Sequence, residues 1–187
     1  MAKHQLLNQF TTAAKNVGAE VIELDSISAA ADFISNKITG YMLVPNFAIS
    51  SRFKLKSALK KAGVAVKTDN FREVAEQAEA GISGVNFAIA NTGTLVLEST
   101  AEDIRLATTL PTKHFALLDP RKIVADGMKA VKPLRQMHQQ DSQNYIAYIT
   151  GPSRTADIER VLTIGVHGPK ELFILLIPGI SDDFLEM

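Results

Sequence analysis

The sequence contains no cysteine, no tryptophan and few other aromatic residues. Without cysteine, the chain cannot form a disulfide, a thiolate zinc site or a cysteine-ligated iron–sulfur cluster. Aromatic residues make up only 6% of the chain, so few rings are present on which nucleic-acid bases could stack. Basic and acidic residues number 20 each, and a net charge of zero gives no general attraction to nucleic acid or to an anionic membrane.

The sequence also lacks the spacings of common metal, nucleotide and hydrolase motifs. Its four histidines are scattered, and no HExxH, GxGxxG, P-loop or GxSxG pattern occurs. We therefore predict no metal site and no cofactor. The longest apolar run, 172–177, is too short to span a bilayer. Residues 2–17 show helical spacing and no apolar core of a signal peptide, so we expect a cytoplasmic protein that does not insert into membranes.

Strand-like and helix-like segments alternate along the 187 residues, of which 46% are hydrophobic. This alternation predicts one α/β domain over 1–187, with a mostly parallel sheet and helices on both faces in three layers. A hairpin of 85–90 and 94–98 around Asn91-Thr92-Gly93 makes the predicted sheet mixed. Ser26 or Ser28 is expected to cap the second helix. The predicted strands are 21–24, 41–44, 64–66, 85–90, 94–98, 115–118, 145–150 and 172–177. The predicted helices are 2–17, a segment from the Ser cap to about 38, 50–63, 71–80 and 121–138.

The stretch GPSRTADIERVLTIGVHGP, residues 151–169, follows a predicted buried strand and contains many polar groups. Ligands of open α/β sheets bind outside the carboxyl ends of the strands. A helix that begins at Thr155 or Ala156 would offer free amides to an anion. Arg154 would add a cation that can make two hydrogen bonds to one anion, and Ser153 would add a hydroxyl. Asp157 would lie in the first turn of the helix. The stretch therefore predicts a small-anion site at Ser153, Arg154, Thr155 and Asp157.

The same residues also have an ordinary structural explanation. Ser153 or Thr155 can cap the helix, Asp157 can complement the helix dipole, and Arg154 can remain solvated. Spacing alone does not decide between a capped helix and an anion site.

A second group of polar residues lies at the tip and the end of the predicted hairpin. The hydroxyls of Thr92 and Thr94 and the backbone at Gly93 could approach a ligand closely, or could simply complete a tight turn. Glu98 could act as an acid or a base, and a buried carboxylate at the end of an apolar strand needs a partner in either case.

A third group consists of Arg105, His114 and His167. Arg105 could neutralise Glu98, or both side chains could face a ligand. A lone histidine such as His114 is more often a structural hydrogen-bonding group than a catalyst. His167 lies between Gly165 and Gly168, in a turn before the last strand.

Four motifs in this order resemble the LUD domain family, which includes lactate utilization protein C (LutC, also called YkgG). They are ANTGTLVLES at 90–99, Leu110-Pro111 with His114, GPSRTADIE at 151–159 and GVHGP at 165–169. The resemblance covers roughly the last 110 residues, whereas the first third agrees only in its α/β pattern. Asn91 departs from the acidic residue expected in many relatives, and the region before the motifs is shorter than in many of them.

The resemblance implies a fold like that of the NagB/RpiA/CoA-transferase group. It also implies membership of a system that oxidises L-lactate to pyruvate with two iron–sulfur partner proteins. A chain without cysteine fits the member without a cluster, as an accessory or small-anion-binding subunit. The resemblance assigns no catalytic residues. The alternative is an independent protein of the same fold that binds a sugar phosphate, a CoA ester or another anionic metabolite.

Overall fold

A computed structural model describes residues 3–140, 144–156, 162–165 and 168–187. Among these residues, no helix is both long enough and apolar enough to cross a membrane. The helices are α1 (Lys3–Asn16), α2 (Ile27–Ser35), α3 (Ala48–Arg52), α4 (Leu55–Lys61), α5 (Phe71–Val74), α6 (Glu102–Thr109) and α7 (Gly127–Gln140). The strands are β1 (Glu20–Glu23), β2 (Tyr41–Leu43), β3 (Ala65–Lys67), β4 (Ala80–Gly84), β5 (Phe87–Ile89), β6 (Thr94–Glu98), β7 (Lys113–Leu118), β8 (Ile123–Val124), β9 (Ile146–Ile149), β10 (Arg154–Ala156), β11 (Leu162–Ile164) and β12 (Glu171–Leu176).

Six strands form a parallel sheet in the order β1-β12-β7-β4-β2-β3. Each neighbouring pair in this sheet runs parallel. The interior strands β7 and β12 are almost continuously apolar, because both faces of a parallel sheet are buried. Helices pack on both faces, which confirms the predicted α/β class with its mostly parallel sheet.

Residues of β7 and β12 alternate between two hydrophobic cores. Phe115 and Phe173 face the side covered by α2, α3 and α4, and their rings stack with centroids 4.7 Å apart. Ala116 and Ile174 face the other side, against α1 and the hairpin. The hydroxyl of Ser26 accepts a hydrogen bond from the Ala29 amide at 3.1 Å, so Ser26 is the cap of α2.

The predicted hairpin forms, but it belongs to a second sheet. Strands β5 and β6 pair antiparallel, with Ala88 opposite Leu95, and the order of this sheet is β8-β5-β6-β9. One face of the second sheet packs on the parallel sheet and α1, and the other face packs on α7. The hairpin therefore adds a layer beside the parallel sheet and leaves that sheet entirely parallel.

Two predicted helices are shorter than their patterns suggested. The segment 71–80 is helical only to Val74, turns through 75–77 and enters β4 at Ala80. The segment 121–138 becomes helical only at Gly127, because the chain first makes a turn at 120–122 and then pairs as β8 with β5. In both places tertiary strand pairing overrides the local helical pattern.

Candidate functional site

The prediction of a helix that begins at Thr155 or Ala156 is wrong. Residues Arg154–Ala156 form β10, which pairs antiparallel with β11 and places Arg154 opposite Ile164. The backbone of 154–156 is thus committed to a strand ladder, and no helix start offers its amides to an anion there. Asp157 and His167 lie outside the described residues, and Thr155 lies within β10.

The strand before this stretch also lies in an unexpected place. Strand β9 is the edge of the second sheet, antiparallel to β6 and only partly buried. The rule that ligands bind at carboxyl ends concerns strands of the parallel sheet, so it does not apply to β9.

The stretch 151–169 nevertheless lines a cleft of about 410 Å³. The cleft lies at the amino edge of the parallel sheet, which is opposite to the carboxyl ends of the strands. The cleft lies between the first residues of β7 and β12, the end of α6 and the loop that joins β9 to β10. We call it the amino-edge cleft. Its lining includes the polar residues Thr108, Thr109, His114, Thr150, Ser153 and Arg154. Two sequence motifs that lie far apart along the chain therefore meet at one site.

Backbone contacts fix the loop that contains Ser153 and Arg154. Gly151 has a left-handed φ of 75°, and a methyl group there would collide with the Val17 carbonyl. The Ser153 amide donates to the Pro169 carbonyl at 2.8 Å, and the Ser153 carbonyl accepts from the Gly165 amide at 2.9 Å. These contacts hold the loop against both the end of α1 and the segment before β12.

Arg154 places an exposed guanidinium at the mouth of the cleft. Its Nη2 donates to the Val17 carbonyl oxygen at 2.6 Å, which anchors the side chain. A guanidinium has five N–H donors, so this bond uses only part of its capacity. The anchored cation suits a carboxylate, which can accept two parallel hydrogen bonds from a guanidinium.

His114 lies in the floor of the cleft and is only 1% exposed. Its Nε2 is 2.9 Å from the hydroxyl oxygen of Ser83. Burial lowers the pKa of His114 to about 4, because a desolvated imidazolium is unfavourable. The imidazole is therefore neutral near pH 7 and adds no charge to the floor of the cleft.

The tip of the hairpin reaches the cleft through a chain of hydroxyls. Thr92 Oγ1 is 2.7 Å from Thr94 Oγ1, which in turn is 2.9 Å from Thr150 Oγ1. Thr150 lines the cleft, although the sequence did not single it out. Gly93 serves another purpose, because a methyl group there would collide with the backbone of Ala14 in α1.

Glu98 and Arg105 lie outside the amino-edge cleft. Glu98 Oε1 accepts from the Thr100 amide at 2.8 Å. Arg105 Nη1 donates to the Ser99 carbonyl at 2.7 Å, and its guanidinium lies 5.4 Å from the Tyr145 ring centroid. In the described part of the chain, no hydrogen bond or ion pair joins Glu98 to Arg105. Their local contacts close the turn between β6 and α6.

The carboxyl edge of the parallel sheet has a second polar site that the sequence reasoning missed. Asp119 follows β7 and is fully buried. Its carboxylate accepts from the Gly179 amide at 2.8 Å, the Ser181 amide at 3.1 Å and Arg121 Nη2 at 2.9 Å. Burial alone would raise the pKa of Asp119, but hydrogen bonds from Arg121 and Ser181 outweigh burial and hold the pKa below its usual value.

Lys122 is also fully buried at this edge. Its Nζ donates to the Glu186 carbonyl at 2.7 Å and to the Asp183 carbonyl at 3.4 Å, and burial lowers its pKa to about 8. A pocket of about 680 Å³ beside it is lined by Arg52, Phe53, Arg121, 179–183 and Glu186. We call it the carboxyl-edge pocket. Applying the carboxyl-end rule to strand 115–118, which is followed by Asp119-Pro120-Arg121-Lys122, would have found it.

Comparison with known proteins agrees with this architecture and with the motifs. The LUD domain model matches residues 7–177. The chain belongs to the LUD domain family. The match includes most of the first third of the chain, where the motifs had shown only an α/β pattern. A crystal structure of a DUF162 family protein from Deinococcus radiodurans has the same fold, with a TM-score of 0.68 and 18% identity. It covers 95% of this chain and 99% of that protein.

Several curated relatives of this LUD domain are named lactate utilization protein C. The protein of Bacillus subtilis (strain 168) is 32% identical over 176 residues, which are 86% of this chain and 73% of that protein. The protein of Anoxybacillus flavithermus is 34% identical over 143 residues, or 74% and 63% of the two chains. An uncharacterized protein of Neisseria meningitidis serogroup B is 39% identical over 111 residues, or 59% and 46%. These matches thus span between about half and three quarters of the relatives' lengths.

Proposed function

We propose that this LUD domain protein takes part in lactate utilization in the cytoplasm, as a component that binds a small carboxylate and works with iron–sulfur partner proteins. The names of the Bacillus subtilis and Anoxybacillus flavithermus relatives support the process. The observation that supports the binding role is the meeting of His114 with Ser153 and Arg154 in the amino-edge cleft.

The cleft contains the groups that a 2-hydroxy acid requires. The Arg154 guanidinium is placed to bind the carboxylate of L-lactate. Neutral His114 and the hydroxyls of Thr109, Thr150 and Ser153 can exchange hydrogen bonds with the 2-hydroxyl group, as donors or as acceptors. A volume of about 410 Å³ is sufficient for a molecule of this size with ordered water.

The roles proposed for this chain and for its partner proteins follow from the amino-acid composition of the chain. Oxidation of L-lactate to pyruvate releases two electrons and two protons. This chain has no cysteine with which to hold an iron–sulfur cluster, so partner proteins with clusters would accept the electrons. In this proposal the LUD domain binds and positions the carboxylate.

A growth experiment tests the process and the cleft together. Deletion of the gene in its own organism should abolish growth on L-lactate and leave growth on pyruvate unchanged. The wild-type gene and an Arg135→Ala control, which changes an exposed arginine of α7, should restore growth. Arg154→Ala, at equal protein level, should not restore it. Growth of the deletion strain on L-lactate at the wild-type rate would contradict the proposed process.

Affinity capture tests the partner proposal separately. The tagged protein, captured from lactate-grown cells without oxygen, should bring down proteins that carry iron–sulfur clusters, recognised by their visible absorption and by mass spectrometry. Repeated capture without any cluster protein would contradict the partnership, while the carboxylate-binding role would still be judged by the growth of the Arg154→Ala strain.

A further inference from the structure

The carboxyl edge of the parallel sheet, where β2, β7 and β12 end, is covered by the chain itself. Ligands of parallel α/β sheets bind at this edge, in the crevice outside the strand ends. Here the segment 183–187 occupies the crevice, and its carbonyls contact Lys122. The Met187 carbonyl also accepts a hydrogen bond from the Ile49 amide of α3 at 3.2 Å. The usual ligand position is thus filled by five residues of this protein.

Glu186 is bound in this crevice much as a carboxylate ligand would be. Arg52 Nη1 lies 2.8 Å from Glu186 Oε1, and Arg52 Nη2 donates to Glu186 Oε2 at 2.9 Å. This is the two-bond geometry with which a guanidinium recognises a carboxylate. Arg52 is also held in place from the other side, because its guanidinium lies 5.2 Å from the Phe53 ring centroid. The Ser181 hydroxyl donates a further hydrogen bond to Glu186 Oε2.

Lys122 binds the other end of the same residue. Its Nζ donates to the main-chain carbonyl of Glu186, which is a neutral acceptor. Lys122 is fully buried, and among the described residues its hydrogen bonds reach only carbonyls and no carboxylate. The carboxylates of Glu186, Asp119 and Asp183 act on Lys122 through charge and without a hydrogen bond. A carboxylate in the place of the neutral carbonyl would add a direct ionic hydrogen bond to this buried cation.

The spacing between the two cations is therefore matched by the carbon chain of Glu186. The carboxylate contacts Arg52 and the carbonyl contacts Lys122. Glutarate has the same carbon chain between its two carboxylates as a glutamate residue has between its carboxylate and its carbonyl. A dicarboxylate of this length would keep both contacts and place a full charge beside Lys122.

Residues 179–181, which precede the segment 183–187, are held by contacts other than those of Glu186. Asp119 accepts hydrogen bonds from the amides of Gly179 and Ser181, so these residues can stay in place when 183–187 move. The contacts that hold 183–187 are non-covalent, so the segment can detach from the crevice. They include the polar contacts of Glu186, a hydrogen bond from Asn86 to the Phe184 carbonyl and packing of Phe184 on Phe87. The adjoining carboxyl-edge pocket, of about 680 Å³, gives the crevice access from solvent.

We propose that the carboxyl edge is a second binding site, for a dicarboxylate of glutarate length held by Arg52 and Lys122. Residues 183–187 close this site with Glu186 in the place of the ligand. Ligand and segment compete for the same two cations. This site is separate from the amino-edge cleft and uses none of its residues.

Calorimetric titration with glutarate tests the competition. Glu186→Gln weakens the hold of the segment on Arg52 and should bind glutarate about tenfold more tightly than the wild type does. Glu23→Gln, an exposed glutamate at the end of β1, should match the wild type. In the Glu186→Gln background, glutarate should bind more tightly than acetate, and a further Lys122→Met change should remove that preference. Equal affinity of Glu186→Gln and Glu23→Gln for glutarate would overturn the proposal.

Hydrogen–deuterium exchange provides a readout on the wild-type protein. Saturating glutarate should increase exchange in 183–187, because the ligand displaces the segment, and should leave exchange at Gly179 and Ser181 unchanged. Arg154→Ala should respond in the same way as the wild type, since the amino-edge cleft is not involved. Unchanged or reduced exchange in 183–187 with glutarate bound would contradict displacement of the segment.

Discussion

The two edges of one parallel sheet differ in how their charges are partnered. At the amino-edge cleft, main-chain contacts hold the loop that bears Arg154, and its exposed guanidinium is anchored to the Val17 carbonyl. At the carboxyl edge, Asp119 and Lys122 are fully buried, and Arg52 is paired with Glu186. At the amino edge, main-chain contacts thus hold the loop, and its charged side chain is open to solvent. At the carboxyl edge, other residues of the chain cover the charged side chains or pair with them.

The difference follows from burial. A buried charge must find partners within the chain, because the cost of leaving it unpaired amounts to several kcal/mol, on the order of 3 to 5. Asp119 satisfies this requirement with amides from the segment after β12 and with Arg121. Arg154 is exposed and has no such requirement. Removing the exposed charge of Arg154 should therefore have a small effect on stability, whereas removing the buried charge of Asp119 should have a large one.

The largest expected effect is that of Asp119→Ala. The change leaves the Arg121 side chain and the buried Ser181 amide without their acceptor, so the free energy of unfolding should fall by about 4 kcal/mol. Chemical denaturation monitored by circular dichroism measures the loss. Asp182→Ala is the matched control, because the Asp182 side chain is 76% exposed, and its effect should stay within about 0.5 kcal/mol. Equal effects of the two changes would contradict the contrast between buried and exposed charge.

A smaller effect is expected from Gly151→Ala at the amino-edge cleft. The residue has a positive φ, and the added methyl group collides with the Val17 carbonyl, so we expect a loss of about 3 kcal/mol in the free energy of unfolding. Gly63→Ala has a similar φ of 86° but open space around the methyl position, and it should cost only about 1 kcal/mol. The difference between these two variants measures the collision alone, and it would vanish if the loop did not rest on the end of α1.

The smallest effect is a pH dependence caused by His114. Its pKa is about 4 in the folded protein and near 6.5 when unfolded, so the unfolded chain binds the proton first as the pH falls. The stabilisation is complete above about pH 6.5 and is lost as the pH falls toward 4, with about 2 kcal/mol lost between pH 7 and pH 5. His114→Gln keeps a partner for Ser83 without titrating, and its unfolding free energy should lose this part of the dependence. Parallel pH profiles for the two proteins would contradict a buried neutral imidazole.

The sequence predicted those parts of the fold that depend on local pattern. The apolar runs at 115–118 and 172–177 lie in interior strands of the parallel sheet, and the turn at Asn91-Thr92-Gly93 joins an antiparallel hairpin. The helix at 155 failed because residues 154–156 pair with 162–164, and a partner of this kind cannot be read from the pattern of one segment.

The candidate sites show the same limit. Ser153, Arg154 and His114 were found by residue type and motif, and the fold brings them together in the amino-edge cleft. Thr150 and Lys122 were missed, because a threonine at a strand end and a lysine after an Asp-Pro turn usually lie at the surface. Only tertiary packing buries Lys122 beneath 183–187 and aligns Thr150 with Thr94.

Amide chemical shifts of the isotope-labelled protein, followed during a titration with L-lactate, test the central claim most directly. If the amino-edge cleft binds the carboxylate, the shifts should change at Thr109, Ser153 and Gly168 and remain unchanged at Gly179 and Ser181. Arg154→Ala should abolish the changes. The absence of any lactate-dependent shift around the cleft, or shifts confined to the carboxyl edge, would contradict the account.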